Sequence, residues 1–200
     1  METVISFSQL IGMGFKIYGW LIVAAFVLSW LDADPTNGAV QFVNRTTRPF
    51  WGWIANRLPG QYASYAPLVA MFAVDFAEIF FPGLVRSLGS VGLGIAAMDA
   101  GMFNTLLYAG LGVLVVGRSI LFFVMILALA YLVISIVAPP LTNPLVRNII
   151  WLVDPIISPL QKILPRSKID FSPIVLSFTI YMVLQSISPM AAKLQIQLIA

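Results

Sequence analysis

The sequence predicts an all-α polytopic membrane protein with four transmembrane helices, arranged as two tandem hairpin repeats with amphipathic interfacial helices. Three observations predict this fold. Of the 200 residues, 60% are hydrophobic and 10% are charged, whereas soluble domains carry about 25% charged residues. Several apolar stretches reach the roughly 20 residues that a helix needs to cross a bilayer. The chain also aligns with itself at an offset of 106 residues.

Four membrane spans are predicted, at residues 11–31, 66–84, 118–138 and 172–188. The third apolar stretch runs over residues 102–138 and is too long for one upright span. We expect residues 102–117 to form an approach helix that lies partly in the interface, with the crossing beginning at Arg118. The alternative places one crossing on each side of Arg118. A single Gly117 is a weak turn signal, which favours one crossing.

The internal repeat contains 12 identities in the 50 positions from residue 21 to residue 70. One offset matches both the proline positions and the span boundaries, which is stronger evidence than the identities alone. The matched prolines are Pro49 with Pro155, Pro59 with Pro165, and Pro67 with Pro173. The chain then divides into a first repeat, a linker with the approach helix, and a second repeat, at residues 1–84, 85–117 and 118–200. Two crossings per repeat give both repeats the same orientation in the membrane.

Cysteine and histidine are both absent. Their absence excludes disulfides, thiolate or imidazole metal sites and Ser-His-Asp triads. We therefore expect no metal, no cofactor and no enzymatic activity. The net charge is only +3, so the sequence does not predict nucleic-acid binding. Residues 1–10 contain Glu2 and no cation, which is the reverse of the basic start of a cleaved signal peptide.

An amphipathic segment is predicted between the spans of each repeat, at residues 37–59 and 143–165. In the second segment apolar residues recur in steps of three and four, which indicates one apolar helical stripe. Pro155 and Pro159 are expected to break it into two short helices in the headgroup plane. Two roles are open for these segments: they can simply anchor at the interface and cap a helical hairpin, or they can recognise a specific lipid or partner. We favour simple anchoring.

Seven of the eleven cations lie in the two loops that contain these segments. The positive-inside rule places both loops on the cytoplasmic side of the inner membrane and both termini on the opposite side. Arginine favours phosphate and the indole ring favours the interface, so anionic headgroups are the expected partners. The residues expected at this surface are Arg45, Arg48, Trp51, Trp53 and Arg57 in the first loop, and Arg147, Lys162, Arg166 and Lys168 in the second.

Four ionisable residues, Lys16, Asp75, Glu78 and Arg118, are predicted within or beside the spans. Such residues are functional candidates by default. Asp75 and Glu78 share a helix face and lie about 12–17 Å along the span from Pro67. Lys16 reaches a similar depth, so we expect a Lys16–Glu78 pair, with Asp75 protonated or facing a wet crevice and Arg118 nearer the outer surface. A structural ion pair is favoured over a proton or cation site.

A group of motif residues occurs in both repeats. The second repeat contains Thr-Asn-Pro-Leu-Val at 142–146, Val-Asp-Pro at 153–155 and Asp-Phe-Ser-Pro at 170–173, and it resembles the YggT family signature. The first repeat departs from it at Gly38 and at residues 64–67. The motif residues are Ser29, Asn37, Pro49, Pro59 and Pro67 in the first copy, and Asn143, Pro144, Asp154, Pro155, Pro165, Asp170, Ser172 and Pro173 in the second.

The motif also has a physical interpretation. Proline is favoured in the first turn of a helix, and a preceding Ser or Asp accepts hydrogen bonds from free amide groups. Asp170 and Ser172 are therefore expected to start the fourth span, an interpretation that we favour over ligand binding.

The resemblance to the YggT family implies a non-enzymatic integral membrane protein. Members of that family are associated with cell division, and plastid relatives with cytochrome assembly and membrane organisation. The first hypothesis is therefore an assembly or organising factor that acts through cytoplasmic amphipathic loops, with a membrane-protein partner or as a homo-oligomer. Family links to osmotic stress and potassium imply the alternative, a cation transport or channel component that uses Asp75 and Glu78. An intramembrane aspartyl enzyme is the least favoured option.

Overall fold

A computed structural model of the chain describes residues 2–137, 142–163 and 170–199. These residues form six α-helices and one short 3-10 helix at Gly60–Tyr65, and no strand occurs within these ranges. The α-helices are α1 (Glu2–Trp30), α2 (Gly38–Ala55), α3 (Ala66–Gly92), α4 (Met98–Val137), α5 (Pro144–Ile163) and α6 (Ser172–Ile199). The predicted all-α fold is confirmed.

Four helical segments are long and apolar enough to cross a membrane among the described residues: Glu2–Trp30, Gly60–Gly92, Met98–Val137 and Ser172–Leu194. They indicate a multi-pass membrane protein, as the apolar composition predicted. Three of these helices extend further than hydropathy suggested, and one of them is α6, which ends at Ile199 rather than near residue 188. α1 begins at Glu2 rather than near residue 11, and α3 ends at Gly92 rather than near residue 84.

The added turns of α1 and α3 pack against each other. Val4 lies against Gly89, and the side chain of Arg86 is hydrogen-bonded to Ser8. Hydropathy averages over a window along the chain, so it ends a span where polar and small residues accumulate. Here those small and polar residues are what allow the two backbones to approach, in the manner of membrane helix pairs.

α4 is one continuous helix of 40 residues, about 60 Å long at the usual rise. The expected approach helix at residues 102–117 and the expected span from Arg118 are therefore parts of one continuous helix. A lone Gly117 costs about 1 kcal/mol of helix propensity, which the flanking helix-forming residues outweigh. Residue 138, the expected end of this span, lies outside the described residues.

The predicted break of the second amphipathic segment is wrong, because α5 continues from Pro144 to Ile163 with Pro155 and Pro159 inside it. Each proline removes one backbone donor. Both prolines are exposed, on the side where water or headgroups can bond the carbonyls left free. The apolar stripe on the opposite side stays buried and holds the helix together. Pro165, Arg166 and Lys168 lie outside the described residues.

The chain divides into two compact units. Unit 1 comprises Met1–Ser29, Ala33–Gly117 and Met190–Ala200, and unit 2 comprises Trp30–Asp32 and Arg118–Pro189. The core of unit 1 is a cluster of Ile22, Ile54, Ala66, Ala70 and Val74. The core of unit 2 is a cluster of Leu127, Ile149, Val153 and Ile157. Each core thus joins one amphipathic helix to apolar helices of its own unit.

Burial follows the 106-residue offset of the sequence repeat. Equivalent positions are buried in the two copies, at Val40 and Val146, Thr47 and Val153, Ala66 and Ser172, and Val74 and Ile180. Within each unit these positions form the inward stripe of the amphipathic helix and the inward face of the following helix. The repeat in the sequence is therefore also a repeat in the pattern of burial.

Candidate functional site

Three helices of unit 1 enclose the candidate site. α1 and α3 run antiparallel, because contacts pair Gly12 with Pro82 and Gly19 with Val74, and the ring of Phe15 stacks on Phe81 at a centroid distance of 5.3 Å. α3 and α4 are also antiparallel.

Glycines make the close approach of α3 and α4 possible. The ring of Tyr108 lies against Gly83, and Phe76 lies against Gly112. Small residues at such crossings let membrane helices come close enough for van der Waals packing.

The pairing of α1 and α3 places the predicted intramembrane charges together. Glu78 lies within electrostatic range of both Lys16 and Asp75. Lys16 is exposed, while Asp75 and Glu78 are half-buried. The direct Lys16–Glu78 ion pair stays a prediction. Arg118 is exposed on the part of α4 that belongs to unit 2, so it is not part of this group.

A cavity of about 210 Å³ lies between α1, α3 and α4. Its polar lining combines side chains from all three helices: Ser8, Gln9, Glu78, Arg86 and Tyr108. Pro82 lines it as well and removes the amide that would otherwise bond the carbonyl of Glu78. That carbonyl faces Gly12 of α1. The cavity therefore offers an acid, a cation, a hydroxyl and a backbone acceptor in an otherwise apolar bundle.

Arg86 is held in place by Ser8, which is fully buried. The Ser8 hydroxyl donates to the carbonyl of Ile5 at 2.7 Å, and the Arg86 Nε donates to Ser8 Oγ at 2.7 Å. The Ser8 hydroxyl is thus a donor within its own helix and an acceptor for Arg86. This bond restrains the orientation of the Arg86 guanidinium group, and Arg86 lines the cavity.

Sequence reasoning missed Ser8, Arg86 and Tyr108 as site residues. Arg86 falls in the linker that was expected after residue 84, so its place on α3 was not anticipated. The spacing of polar residues and proline along α3 could have indicated Arg86. Glu78, Pro82 and Arg86 are four residues apart and share one helix face, and a polar residue on a short apolar helix face commonly meets a partner.

The motif residues that the sequence singled out lie mainly at helix starts. Asn37 Oδ1 accepts a hydrogen bond from the amide of Ala39, and Asn143 Oδ1 accepts one from the amide of Leu145, both at 2.9 Å. These are N-terminal caps of α2 and α5, which satisfy amide groups that the helix leaves free. The asparagines are 106 residues apart, so the two copies start their amphipathic helices in the same way.

The start of α6 is organised by Asp170. Its Oδ1 accepts from the amide of Ser172 at 2.9 Å, and its Oδ2 accepts from Nε2 of Gln161 at 2.6 Å. Tyr131 of α4 lies close enough to Gln161, Asp154 and Asp170 to interact with them electrostatically. In unit 2 these polar residues therefore link α4, α5 and the start of α6, which agrees with a structural role for Asp154 and Asp170.

Most of the other motif residues lie at helix ends, whereas Pro49 lies inside α2 and Pro155 inside α5. Pro67 and Pro173 are buried as the second residues of α3 and α6, where a missing amide costs little. Pro144 is the first residue of α5. Pro59 precedes the 3-10 helix, and Pro49 lies on the exposed side of α2. Ser29 donates to the carbonyl of Phe26 within the last turn of α1.

The outer face of α2 carries basic and aromatic side chains. Arg45, Arg48 and Trp53 are exposed, and the guanidinium carbon of Arg57 lies 3.6 Å from the ring centroid of Trp53. Trp51 is different, because it packs against the core of unit 1 and donates to Thr47 Oγ1 at 3.3 Å. Among the α2 residues expected at the lipid surface, Trp51 thus faces inward.

The outer face of α5 carries both signs of charge. Arg147, Asp154 and Lys162 are exposed on it. No group of three or more acidic residues that could hold a metal ion occurs within the described part of the chain.

A family model described as CCB3/YggT matches residues 4–85 and again residues 111–191. The chain belongs to the CCB3/YggT family. The double match confirms the tandem repeat and the resemblance that the motif residues indicated. The chain is 26% identical over 170 residues to "Uncharacterized protein YggT" of Escherichia coli strain K12, covering 84% of this chain and 81% of that protein. The proteins of the same name from E. coli O6:H1 and O157:H7 match equally. No solved structure is significantly similar to this one.

The described residues of the YggT-type signature therefore lie mainly at helix caps and first-turn prolines, whereas the residues that line the cavity do not belong to the signature. Substitutions can therefore test the helix starts, where the signature residues lie, separately from the cavity, which contains none of them.

Acid should weaken the start of α6. Burial raises the pKa of Asp170, but hydrogen bonds from Gln161 and from the amide and hydroxyl of Ser172 outweigh it, so the pKa lies below its usual value. A carboxyl with a lowered pKa stabilises the fold above the pKa of the unfolded chain, about 4, and loses that contribution as pH falls through the folded value.

We expect hydrogen exchange at Ser172 to accelerate as pH falls below about 4, after correction for the intrinsic exchange rate. In Asp170→Asn the same amide should show no such step. An identical pH dependence in the two proteins would contradict this role of Asp170.

Proposed function

We propose that this YggT-family protein is a non-enzymatic organiser of the inner membrane. In this proposal α2 and α5 lie at the cytoplasmic surface, bind anionic lipid, and present an outer face to a membrane-protein partner in assembly or cell-division organisation. One observation carries the proposal: each repeat anchors an amphipathic helix by a buried stripe and leaves the opposite face exposed.

The anchoring is strong in physical terms. Thr47 and Val153, at equivalent positions of the two copies, are both almost fully buried. A stripe packed in this way fixes the rotation of the helix, so its outward residues are determined too. Membrane-surface helices use such basic and aromatic faces to bind anionic headgroups.

α2 is the better candidate for lipid binding. It contains Arg45 and Arg48 and no acidic residue, and the pair formed by Trp53 and Arg57 extends this face. Each basic residue near an anionic surface contributes about 1 kcal/mol of attraction. Phe42 is also 61% exposed on this helix, which adds an apolar group that can enter the headgroup region.

Removing two charges from α2 should weaken its association with anionic lipid. We expect R45Q/R48Q to lower the affinity for spin-labelled phosphatidylglycerol in mixed vesicles by about tenfold or more. R118Q/K193Q is the matched control, because it removes two exposed cations outside α2. Equal lipid selectivity in wild type, variant and control would contradict lipid binding by α2.

The partner can be sought with a photo-crosslinking residue at position 42 in the native membrane. Position 40 is the control, since Val40 is only 7% exposed on the same helix. We expect a defined membrane-protein crosslink from position 42, lost in R45Q/R48Q, and none from position 40. Crosslinks to lipid alone from both positions would remove the partner from the proposal.

A second candidate function is a cation transport or channel component. The observation in its favour is that the cavity of unit 1 reaches Glu78, with Asp75 close by. Liposomes that contain only the purified protein should then carry a K⁺ flux that falls in Asp75→Asn and in Glu78→Gln but not in Arg118→Gln. A flux equal to that of protein-free liposomes rejects this function.

A further inference from the structure

The cavity between α1, α3 and α4 has an unusual charge arrangement. Among the residues that the structure describes, Ser8 is the single hydrogen-bond partner of the Arg86 side chain, through Nε. The two Nη atoms carry four further donors. A guanidinium group binds phosphate or carboxylate oxygens with such paired donors. Because the bond to Ser8 fixes the group beforehand, little side-chain freedom is lost when an anion binds.

Glu78 lies on the same wall of the cavity, two turns before Arg86. Eight residues along a helix correspond to about 12 Å. Glu78 has electrostatic neighbours in Lys16 and Asp75, but Lys16 is an exposed side chain on α1. The cavity lining therefore combines a carboxyl group and a guanidinium group that come from positions two turns apart on α3, with the polar side chains of Gln9 and Tyr108 also lining the space.

The spacing selects a class of ligand. Because the two positions are about two helical turns apart on α3, a ligand that contacts both must carry its anionic oxygen and its ammonium group on different atoms several bonds apart. An ester of phosphate with ethanolamine meets this condition. An α-amino acid is too short, because its carboxylate and ammonium groups are attached to one carbon. A plain anion would satisfy Arg86 and be repelled by Glu78.

The position along α3 indicates the surface from which the ligand enters. α2 packs near the start of α3, through Ile54 with Ala66 and Ala70. Arg86 follows Ala66 by 20 residues, or about 30 Å, which is the thickness of the hydrocarbon core. Arg86 therefore lies at the headgroup level on the side of the membrane opposite α2, with Glu78 deeper in the bundle.

We propose that this cavity binds a small zwitterion, whose phosphate contacts Arg86 and whose primary ammonium group contacts Glu78. Two sources supply this chemistry, a soluble ethanolamine phosphate and the headgroup of phosphatidylethanolamine. The site is separate from the lipid-facing surface of α2, so it stands independently of the organiser function.

The first arm of the test uses the full chain in phosphatidylglycerol nanodiscs and calorimetric titration with phosphoethanolamine. Binding should be at least tenfold tighter than that of inorganic phosphate or of ethanolamine alone. Arg86→Gln should weaken it at least tenfold, and Glu78→Gln should abolish the preference over inorganic phosphate. Arg118→Gln is the matched control and should bind like wild type, since it lies outside unit 1.

The second arm detects lipid retention by native mass spectrometry after extraction from membranes that contain phosphatidylethanolamine. Retention that depends on Arg86, without binding of the soluble compound, identifies the lipid as the source. If Arg86→Gln does not fold, Ser8→Ala keeps the charge, releases Nε, and should still lower binding several-fold. Equal binding of phosphate and phosphoethanolamine together with no lipid retention, or binding unaffected by either variant, overturns the proposal.

Discussion

Gly83→Ala is expected to destabilise unit 1 severely. A methyl group built on Gly83 would overlap the aromatic ring of Tyr108, which is itself buried against α3. The ring cannot stay in place, so either Tyr108 leaves its position or α3 and α4 move apart. Overpacking of this kind costs about 1–3 kcal/mol. Reversible unfolding in detergent micelles should show a loss in that range.

Gly110→Ala is the matched control, because Gly110 lies on α4 two residues from Tyr108 and has no atom within 4 Å of the added methyl group. Helix propensity alone should make this change neutral or stabilising by up to about 1 kcal/mol. The double variant Gly83→Ala with Tyr108→Ala removes the ring that the methyl group meets. Its loss should be smaller than the sum of the two single losses. Equal stability of Gly83→Ala and Gly110→Ala would contradict the close packing of α3 against α4.

Ile157→Ala should detach α5 from unit 2. Ile157 is fully buried and packs in the cluster that contains Leu127, Ile149 and Val153. Truncating a buried isoleucine removes its apolar contacts and leaves a cavity, at a cost of about 2–5 kcal/mol. Since this cluster anchors the amphipathic helix, the loss should be local as well as global. Hydrogen exchange should accelerate first at the amides of α5.

Ile163→Ala is the matched control for this second prediction. It makes the same chemical change on the same helix, but Ile163 is 80% exposed. Its effect should stay within about 0.5 kcal/mol. Unfolding in micelles and exchange at the α5 amides should separate the two variants. If both change stability and exchange by the same amount, α5 is not held by its buried stripe.

Much of the fold could be predicted because it depends on patterns that are local along the chain. The apolar stretches identify the four candidate spans, and steps of three and four identify the stripe that buries Val146, Ile149 and Val153. Asn37 and Asn143 mark helix starts because an asparagine side chain reaches an amide only two residues ahead. The same locality explains the errors. Proline is a local signal for a break, yet α5 continues through Pro155 and Pro159 because its buried stripe outweighs two missing hydrogen bonds.

The cavity could not be predicted because it depends on which helix faces meet. Ser8 and Arg86 are 78 positions apart in the chain, and Arg86 stands among small residues that resemble a linker. Trp51 and Trp53 show the same limit at short range. Both indole rings suit a membrane interface, but in the packed structure Trp51 contacts the core of unit 1 and Trp53 is exposed.

An all-α, multi-pass membrane protein with a duplicated YggT-type unit can be recognised from the amino-acid sequence alone. Composition, periodicity and capping act within a few residues, so they can be recognised without knowing the fold. Helix packing, by contrast, is what places Glu78 and Arg86 in one cavity, bonds Ser8 to the arginine, and brings the Tyr108 ring against Gly83. Those facts depend on the rotation and separation of packed helices, which small residues permit but do not specify locally.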